Sequence, residues 1–177
     1  MRLESVDALL AALQRGANAH DGEAVDLLDH MLQCGALLAA AEPDDFELQV
    51  AGLVHDLGTV LDPNGPATHA TTGADAVESL LGARVAALVA GHDQAKRYLV
   101  STDPAYSAQL SEMSVATLAL QGGTMREAER TQFEAGEYST SLVALRRADD
   151  AAKIPGLTVP GLDDWRPKLE RVADTPT

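Results

Sequence analysis

The sequence has little cysteine and few aromatic residues. Of its 177 residues one is cysteine, and only 3% are Phe, Trp or Tyr. A single thiol, Cys34, excludes an internal disulfide and a cysteine-based zinc site. Because aromatic side chains are scarce, Ala, Leu and Val must supply most of the core, and a composition of this kind favours helix over strand.

Positive charge is also scarce. The chain has 13 Lys and Arg residues against 27 Asp and Glu, which gives a formal net charge of −14. Such an acidic surface repels phosphate backbones, so nucleic acid and anionic membranes are not expected as partners. A small anionic substrate is still compatible with this charge if cations gather in one pocket, because a local potential can oppose the net charge.

Long apolar runs are missing too. No stretch reaches the roughly 18 apolar residues that suggest a transmembrane helix. The first residues, MRLESVDALLAALQRG, do not resemble a signal peptide. The sequence therefore predicts a cytoplasmic protein, either a monomer or a small homo-oligomer. Its length predicts one domain, since domains typically contain about 100–200 residues.

Apolar residues recur at helical spacing along almost the whole chain, and segments rich in Gly and Pro separate these runs, as in DPNGPAT at 62–68. No segment shows the alternation of a half-buried strand. The sequence therefore predicts an all-α fold. The predicted helices are 3–16, 23–41, 46–61, 69–81, 83–98, 105–121, 126–135, 139–153 and a short one near 164–173.

Four histidines fall in separate predicted helices, two of them within strongly apolar surroundings. His30 lies within LLDHMLQCGALL and His55 within VAGLVHDLG. A buried imidazole without a partner costs a few kcal/mol. One such histidine is usually a satisfied polar group. However, His30, His55, His69 and His92 together with the carboxylates of Asp56 and Asp149 suit iron or manganese better than calcium.

Two charged residues accompany these histidines at helical spacing. Glu23 lies seven residues before His30, on the same face of the predicted helix 23–41. The alternative is an acid that only stabilises the helix N-terminus. Lys96 lies one turn after His92, and the alternative is a solvated lysine. The spacing alone leaves both alternatives open.

Three uncharged polar side chains share one face of the predicted helix 105–121. Ser114, Thr117 and Gln121 occur at i, i+3 and i+7 in a segment that is otherwise apolar. Elsewhere the chain places charged residues on its surface. A polar-lined pocket is therefore at least as good an interpretation as a solvated face.

The order of these metal-type residues resembles the HD-domain superfamily of metal-dependent enzymes. The matching residues are His30, His55, Asp56, His69, His92 and Asp149. The resemblance implies a helical bundle around a dinuclear metal site. It implies that His30, His55, Asp56 and Asp149 bind one metal and that Asp56, His69 and His92 bind the second, with Asp56 as the bridge.

A narrower resemblance covers residues 20–153 and leaves 154–177 as a C-terminal tail of a single HD domain, 1–177. The segments EAVDLLDHMLQ, AGLVHDLG, GHDQAKRYL, LSEMSVATLALQGG and LRRADDAAK resemble the 2-amino-1-hydroxyethylphosphonate dioxygenases, relatives of myo-inositol oxygenase. These enzymes use an Fe(II)/Fe(III) pair and O2 to cleave a carbon–phosphorus bond, releasing phosphate.

The same resemblance implies roles for the polar residues. Lys96, Ser114, Thr117 and Gln121 would hold the phosphonate, and Glu23 would contact the amino end of the substrate. Asp56 and Lys96 are the candidate catalytic residues. The expected substrate is a small 1-hydroxyphosphonate, and the expected organic product is a carboxylate.

Two positions depart from the pattern of that branch. His20 stands where the family commonly has a tyrosine that occupies the second iron before substrate arrives, so His20 is a further candidate iron ligand. The alternative is an exposed residue ahead of a helix. Thr59 stands where the family commonly has a histidine that touches the phosphonate. Both changes bear on the identity of the substrate.

Two other functions fit parts of the same pattern. An HD-type phosphohydrolase would use similar ligands to activate a metal-bound water against a small phosphate ester or nucleotide. Its activity would need no O2. A catalytically silent metal-binding module is the other alternative, and the complete set of ligands argues against it.

Overall fold

The computed structural model describes residues 2–20 and 22–175. Within these residues the regular secondary structure is helical and no strand is present, which confirms the predicted all-α fold. None of the described helices combines the length and apolar character needed to cross a membrane. The predicted domain 1–177 also includes residues 1, 21, 176 and 177, which lie outside the described residues. The helices are α1 (Val6–Gln14), α2 (Leu27–Ala41), α3 (Phe46–Val54), α4 (Leu57–Leu61), α5 (His69–Thr102), α6 (Pro104–Ser107), α7 (Glu112–Leu120), α8 (Glu127–Glu134), α9 (Ser139–Ala151) and α10 (Leu162–Ala173).

Helix α2 begins later than the sequence predicts. The Asp26 carboxylate accepts a hydrogen bond from the backbone N–H of Asp29 at 2.8 Å and caps the helix. The other carboxylate oxygen accepts from the backbone N–H of Asn18, also at 2.8 Å, and ties down the preceding loop. Glu23 therefore lies in that loop. The prediction that Glu23 shares a helix face with His30 is wrong.

The predicted helix 46–61 is two helices with a break at the His-Asp pair. Helix α3 ends at Val54, and α4 begins at Leu57. His55 and Asp56 thus lie between two helices, and the backbone of Asp56 departs from helical geometry (φ −99°, ψ 12°). This break allows both side chains to reach the same site.

Helix α4 packs unusually close to the start of α5. A Cβ atom added to Gly58 would lie 1.8 Å from the carbonyl oxygen of His69 and 2.9 Å from the backbone nitrogen of Gly73. Only glycine permits this approach. It brings Asp56, two residues earlier in the chain, beside the N-terminus of α5.

Helix α5 consists of two arms that meet at Gly82, where the backbone is not helical (φ 86°, ψ 167°). The predicted break at this residue is confirmed. A straight helix would separate His69 from His92 by about 34 Å. Their Nε2 atoms are instead 3.1 Å apart, so the two arms must double back on each other.

The predicted helix 105–121 also divides, into α6 and α7. The carboxylate of Asp103 caps α6, and the hydroxyl of Ser111 accepts from the backbone N–H of Ser114 at 3.1 Å and caps α7. Ser114 and Thr117 remain on one face of α7, while Gln121 is the residue that ends the helix.

The hydrophobic core includes residues on both sides of the range 20–153 that the resemblance covers. Leu9 and Leu13 of α1 are fully buried, and Trp165 and Leu169 of α10 belong to the same core. Helix α10 packs against α1, α3 and α5. Helix α10, which lies within the predicted tail, therefore closes one side of the core.

Candidate metal centre and substrate cavity

Two histidines from different helices form the first half of the metal cluster. The Nε2 atoms of His30 and His55 lie 3.2 Å apart, and both side chains are buried. A carboxylate oxygen of Asp149 lies 3.3 Å from Nε2 of His30 and 3.8 Å from Nε2 of His55. Donor atoms bound to one metal at about 2.1 Å lie roughly 3 Å apart, so this spacing suits a metal ion.

His69 and His92 form the second half, with their Nε2 atoms 3.1 Å apart. The carboxylate of Asp56 joins the two halves. Its Oδ2 atom is 3.5 Å from His30 and 3.4 Å from His55. Its Oδ1 atom is 3.5 Å from His69 and 3.7 Å from His92. One oxygen for each pair is the arrangement of a carboxylate that bridges two metal ions.

Each of the four imidazoles is oriented by a backbone carbonyl oxygen that accepts from its Nδ1. The Nδ1–O distances are 2.8 Å for His30 (to Ala152), 2.8 Å for His55 (to Gly52), 2.9 Å for His69 (to Pro66) and 2.7 Å for His92 (to Val89). With Nδ1 protonated, a neutral imidazole presents the lone pair of Nε2 to the cluster. Two such lone pairs about 3 Å apart repel each other unless a cation lies between them. The donor set therefore fits two metal ions.

The carboxylates set the charge of the first half. Burial alone would lower the pKa of His30, but hydrogen bonds to Asp149 and Asp56 raise it to about 10. Burial alone would raise the pKa of Asp149, but Arg146 and the neighbouring imidazoles hold it well below its ordinary value. Without a metal, protons take the place of the positive charge that this site requires.

A cavity of about 240 Å³ opens beside the cluster. The five side chains predicted to bind substrate all line it, as do Thr59 and most of the predicted metal ligands. These five are Glu23, Lys96, Ser114, Thr117 and Gln121. The structure thus brings together residues from the loop before α2, from α5 and from α7.

Lys96 is buried and points along the α7 side of this cavity. Its ammonium donates to the hydroxyl of Thr117 at 2.9 Å, and that hydroxyl donates to the carbonyl oxygen of Met113 at 3.0 Å. Burial, together with the positive charge of Arg146, lowers the pKa of Lys96 to about 8. A dehydrated ammonium of this kind gains from binding an anion.

Gln121 contacts the metal cluster indirectly, by a hydrogen bond to Asp93, a carboxylate that the sequence pattern did not single out. Its amide nitrogen donates to Oδ1 of Asp93, and the same oxygen lies 3.6 Å from His92 Nε2 and 3.9 Å from His69 Nε2. The Oε1 atom of Gln121 is buried, and no protein donor among the described residues reaches it.

Comparison with known proteins identifies the family. The model of the HD domain matches residues 27–150, the range that contains the whole cluster from His30 to Asp149. This chain belongs to the HD-domain family. The HD-domain protein is 32% identical over 169 residues to a [1-hydroxy-2-(trimethylamino)ethyl]phosphonate dioxygenase (glycine-betaine-forming) from Leisingera caerulea, an alignment covering 91% of this chain and 86% of the relative. It is 35% identical over 176 residues to a hydroxymethylphosphonate dioxygenase from Gimesia maris, covering 94% and 87%. The predicted resemblance to the phosphonate-cleaving branch is confirmed.

The sequence analysis of this HD-domain protein missed Arg146. This side chain is buried, and it donates to Oδ2 of Asp149 at 2.7 Å and to the Ser114 hydroxyl at 3.3 Å. It also donates to the hydroxyl of Tyr106 at 2.9 Å and to the carboxylate of Asp150. Arg146 thus orients both the carboxylate of Asp149 in the metal cluster and the hydroxyl of Ser114 in the cavity wall. Its position three residues before Asp149 on α9 was the available signal.

Lys153 was missed as well. It lies just beyond the end of α9, lines the cavity, and donates to the carboxylate of Glu23 at 2.6 Å. The hydroxyl of Ser111 donates to the same oxygen, also at 2.6 Å. Glu23 and Lys153 are 130 residues apart, so no local pattern predicts the contact.

The structure does not bring His20 into the cluster of the HD-domain protein. This residue is exposed, and its Nδ1 atom lies 3.2 Å from the carbonyl oxygen of Val25. His20 does not belong to the residues that line the cavity. The arrangement favours the alternative interpretation, an exposed residue ahead of α2.

Proposed function

We propose that this protein is an O2-dependent oxygenase with an Fe(II)/Fe(III) pair that cleaves the carbon–phosphorus bond of a small 1-hydroxyphosphonate. The observation that carries the proposal is the bridging position of Asp56 between two histidine pairs, beside a cavity lined with cations. The names of the two relatives, both phosphonate dioxygenases, support it.

The donor set supports iron as the metal. His30, His55 and Asp149 would hold one iron, His69 and His92 the other, and Asp56 would bridge the two. Imidazole and carboxylate ligands together suit iron. The irons would supply the activation of O2 and the one-electron chemistry that the side chains lack.

The reaction balances without an external reductant. The substrate R–CH(OH)–PO3H2 and one O2 give R–COOH and H3PO4. Carbon 1 is oxidised to a carboxyl group, O2 is reduced, and the carbon–phosphorus bond is replaced by bonds to oxygen. One phosphate forms for each O2 consumed.

The side chains of the cavity would bind and orient the substrate. Lys96 supplies a dehydrated positive charge, and Thr117 fixes its direction. Ser114 is held by the guanidinium of Arg146 at 3.3 Å and would donate to a phosphonate oxygen. These contacts would hold the phosphonate in an otherwise acidic protein, because hydrogen bonds to an ionised partner are the strong ones.

The test is phosphate release by iron-loaded protein prepared without O2. Hydroxymethylphosphonate should yield phosphate only after O2 is added, with one O2 consumed per phosphate. The matched assay for hydrolysis uses Mn(II)-loaded protein with p-nitrophenyl phosphate and a nucleoside monophosphate under nitrogen. Phosphate release in that assay, with none from any 1-hydroxyphosphonate in O2, would replace the proposal with a phosphohydrolase.

A cytoplasmic location, a monomeric or small homo-oligomeric state and a single HD domain over residues 1–177 are proposals from the sequence. Size-exclusion chromatography with light scattering measures the oligomeric state directly.

A further inference from the structure

The acid assigned to the substrate's amino end already has a cation beside it. The Glu23 carboxylate accepts from the ammonium of Lys153 at 2.6 Å, and the two side chains are only 15% and 18% exposed. Both line the cavity. A pair so shielded from water is stronger than a surface ion pair, because solvent screens it less.

The position of Lys153 is fixed by both of its neighbours in the chain. The carbonyl oxygen of Ala152 accepts from Nδ1 of the metal-cluster residue His30 at 2.8 Å. The backbone of Ile154 makes two hydrogen bonds to the amide of Gln33, at 2.9 and 3.1 Å. The backbone on either side of Lys153 is therefore anchored, and its side chain starts from a defined place.

The Lys153 ammonium stands between Glu23 and the wall that would bind the phosphonate. Its Nζ atom is 3.4 Å from the hydroxyl of Ser111 and 3.5 Å from the hydroxyl of Ser114. A substituent that extends from a phosphonate held at Ser114 toward Glu23 therefore comes close to this ammonium.

We propose that Lys153 is a specificity residue: by occupying Glu23, it selects 1-hydroxyphosphonates with an uncharged substituent over those with an ammonium or trimethylammonium group. This inference rests on the proposed function of the cavity.

The physical reason is competition for one carboxylate. A substrate ammonium that reaches Glu23 comes close to a like charge, which is unfavourable in a partly buried site. A trimethylammonium group has no N–H with which to share the carboxylate oxygen. A hydrogen atom or a methyl group as substituent meets neither obstacle and leaves the ion pair intact.

The experiment compares four substrates with iron-loaded enzyme in O2. They are hydroxymethylphosphonate, 1-hydroxyethylphosphonate, 2-amino-1-hydroxyethylphosphonate and [1-hydroxy-2-(trimethylamino)ethyl]phosphonate. For the wild type we expect kcat/KM to be at least about tenfold higher for 1-hydroxyethylphosphonate than for its 2-amino counterpart, the size of one charged hydrogen bond. In Lys153→Met, kcat/KM for the amino substrate should rise relative to that for 1-hydroxyethylphosphonate by about 10- to 100-fold.

The role of Glu23 is tested in the same series. Adding Glu23→Gln to Lys153→Met should abolish the shift, because the cation then has no carboxylate to pair with. The matched control is Arg147→Met, which removes one positive charge from α9 at a side chain that is 57% exposed and faces Asp103. Its substrate ratio should equal that of the wild type.

A wild-type preference for either cationic substrate, or a ratio unchanged by Lys153→Met, would overturn the assignment. If Lys153→Met fails to fold, Lys153→Gln takes its place. Calorimetry with 2-aminoethylphosphonate and ethylphosphonate, which lack the 1-hydroxyl, measures the corresponding ratio of binding affinities without turnover. Absence of turnover of all four substrates by folded, iron-loaded wild type would contradict the proposed function, whereas the binding ratio would still decide the role of Lys153.

Discussion

The Nε2 atoms of His69 and His92 lie 3.1 Å apart, although the two residues belong to one helical element and are 23 positions apart in the chain. The reversal at Gly82 makes this possible. As a result α5 supplies two imidazoles from its own two arms. Asp56 then needs only to reach the start of α5 to complete the second half of the cluster.

Replacement of Asp56 by alanine should remove metal from both halves. Asp56 directs one oxygen to each histidine pair, so both sites lose a ligand and the negative charge that balances the ions. We expect the iron content, measured by plasma emission spectrometry, to fall from about two ions to less than one per chain, and phosphate release to be lost. Full occupancy by iron in Asp56→Ala would refute the bridging role.

Replacement of Gly58 by alanine should destabilise the protein. A Cβ at this position would lie 1.8 Å from the carbonyl oxygen of His69, so α4 or α5 must move. Such overpacking costs about 3 kcal/mol, and thermal and urea unfolding measure it. Gly161→Ala is the control, because the nearest atom to its Cβ is 3.9 Å away. Equal stability of the two variants would contradict the close packing of α4 on α5.

Replacement of Arg146 by methionine should weaken the first metal site. The guanidinium pairs with Asp149 and with Asp150, and without it both carboxylates lose the positive charge that balances them. Loss of a group that positions a ligand typically lowers metal affinity about 10- to 100-fold. Competition with a chelator measures the change. Arg147→Met, on the same helix but largely exposed, should bind iron as the wild type does, and an equal loss there would point to a general effect of charge.

Deprotonation of Lys96 should make kcat/KM for the phosphonate decline above a pH of about 8. Its lowered pKa, about 8, means that the ammonium is present below that pH and is lost above it. The KM for phosphonate should therefore rise as the pH increases through 8, and kcat/KM should fall. The Lys96→Arg variant should not show this decline in kcat/KM, because arginine stays charged. Ionisation of the substrate affects the wild type and Lys96→Arg equally. It therefore cancels when kcat/KM of one enzyme is divided by kcat/KM of the other at each pH.

Metal binding should release protons at neutral pH. In the metal-free protein the pKa of His30 is raised to about 10, and that of His55 lies well above its ordinary value despite burial, because of Asp56 and Asp149. The imidazole of His30 is then charged at pH 7 and must lose a proton to bind metal. Calorimetry in buffers of different ionisation enthalpy should detect the release of at least about one proton. No dependence on the buffer would show that His30 is already neutral.

The same shifts give the pH range in which the metal-free fold is stable. A histidine whose folded pKa is raised contributes stability below the unfolded value near 6.5, and this contribution is lost as the pH rises through the folded value. The lowered pKa of Asp56 and Asp149 acts in the opposite direction. Their contribution is present above the unfolded value near 3.9 and is lost in acid. The melting temperature of the metal-free protein should thus decline both in acid and toward pH 10.

The sequence by itself determined the helical class and the candidate ligands. Apolar spacing is a local property, and the break at Gly82 follows from a residue that adopts positive φ without strain. Histidines in apolar helices need partners, so residue type and spacing pointed to the metal cluster, and the resemblance to known enzymes supplied the division into two sites. These features depend on neighbours within a few turns, which the sequence displays directly.

Only the tertiary structure decided how the cavity is completed. The contact of Lys153 with Glu23 and that of Gln121 with Asp93 join residues 130 and 28 positions apart. The start of α2 depends on one aspartate side chain that caps the helix, and His20 remains exposed although its sequence position suggested a ligand. Contacts of this kind depend on where packed helices place side chains in space. Local periodicity determines which face of a helix is buried, but not which distant charge it meets.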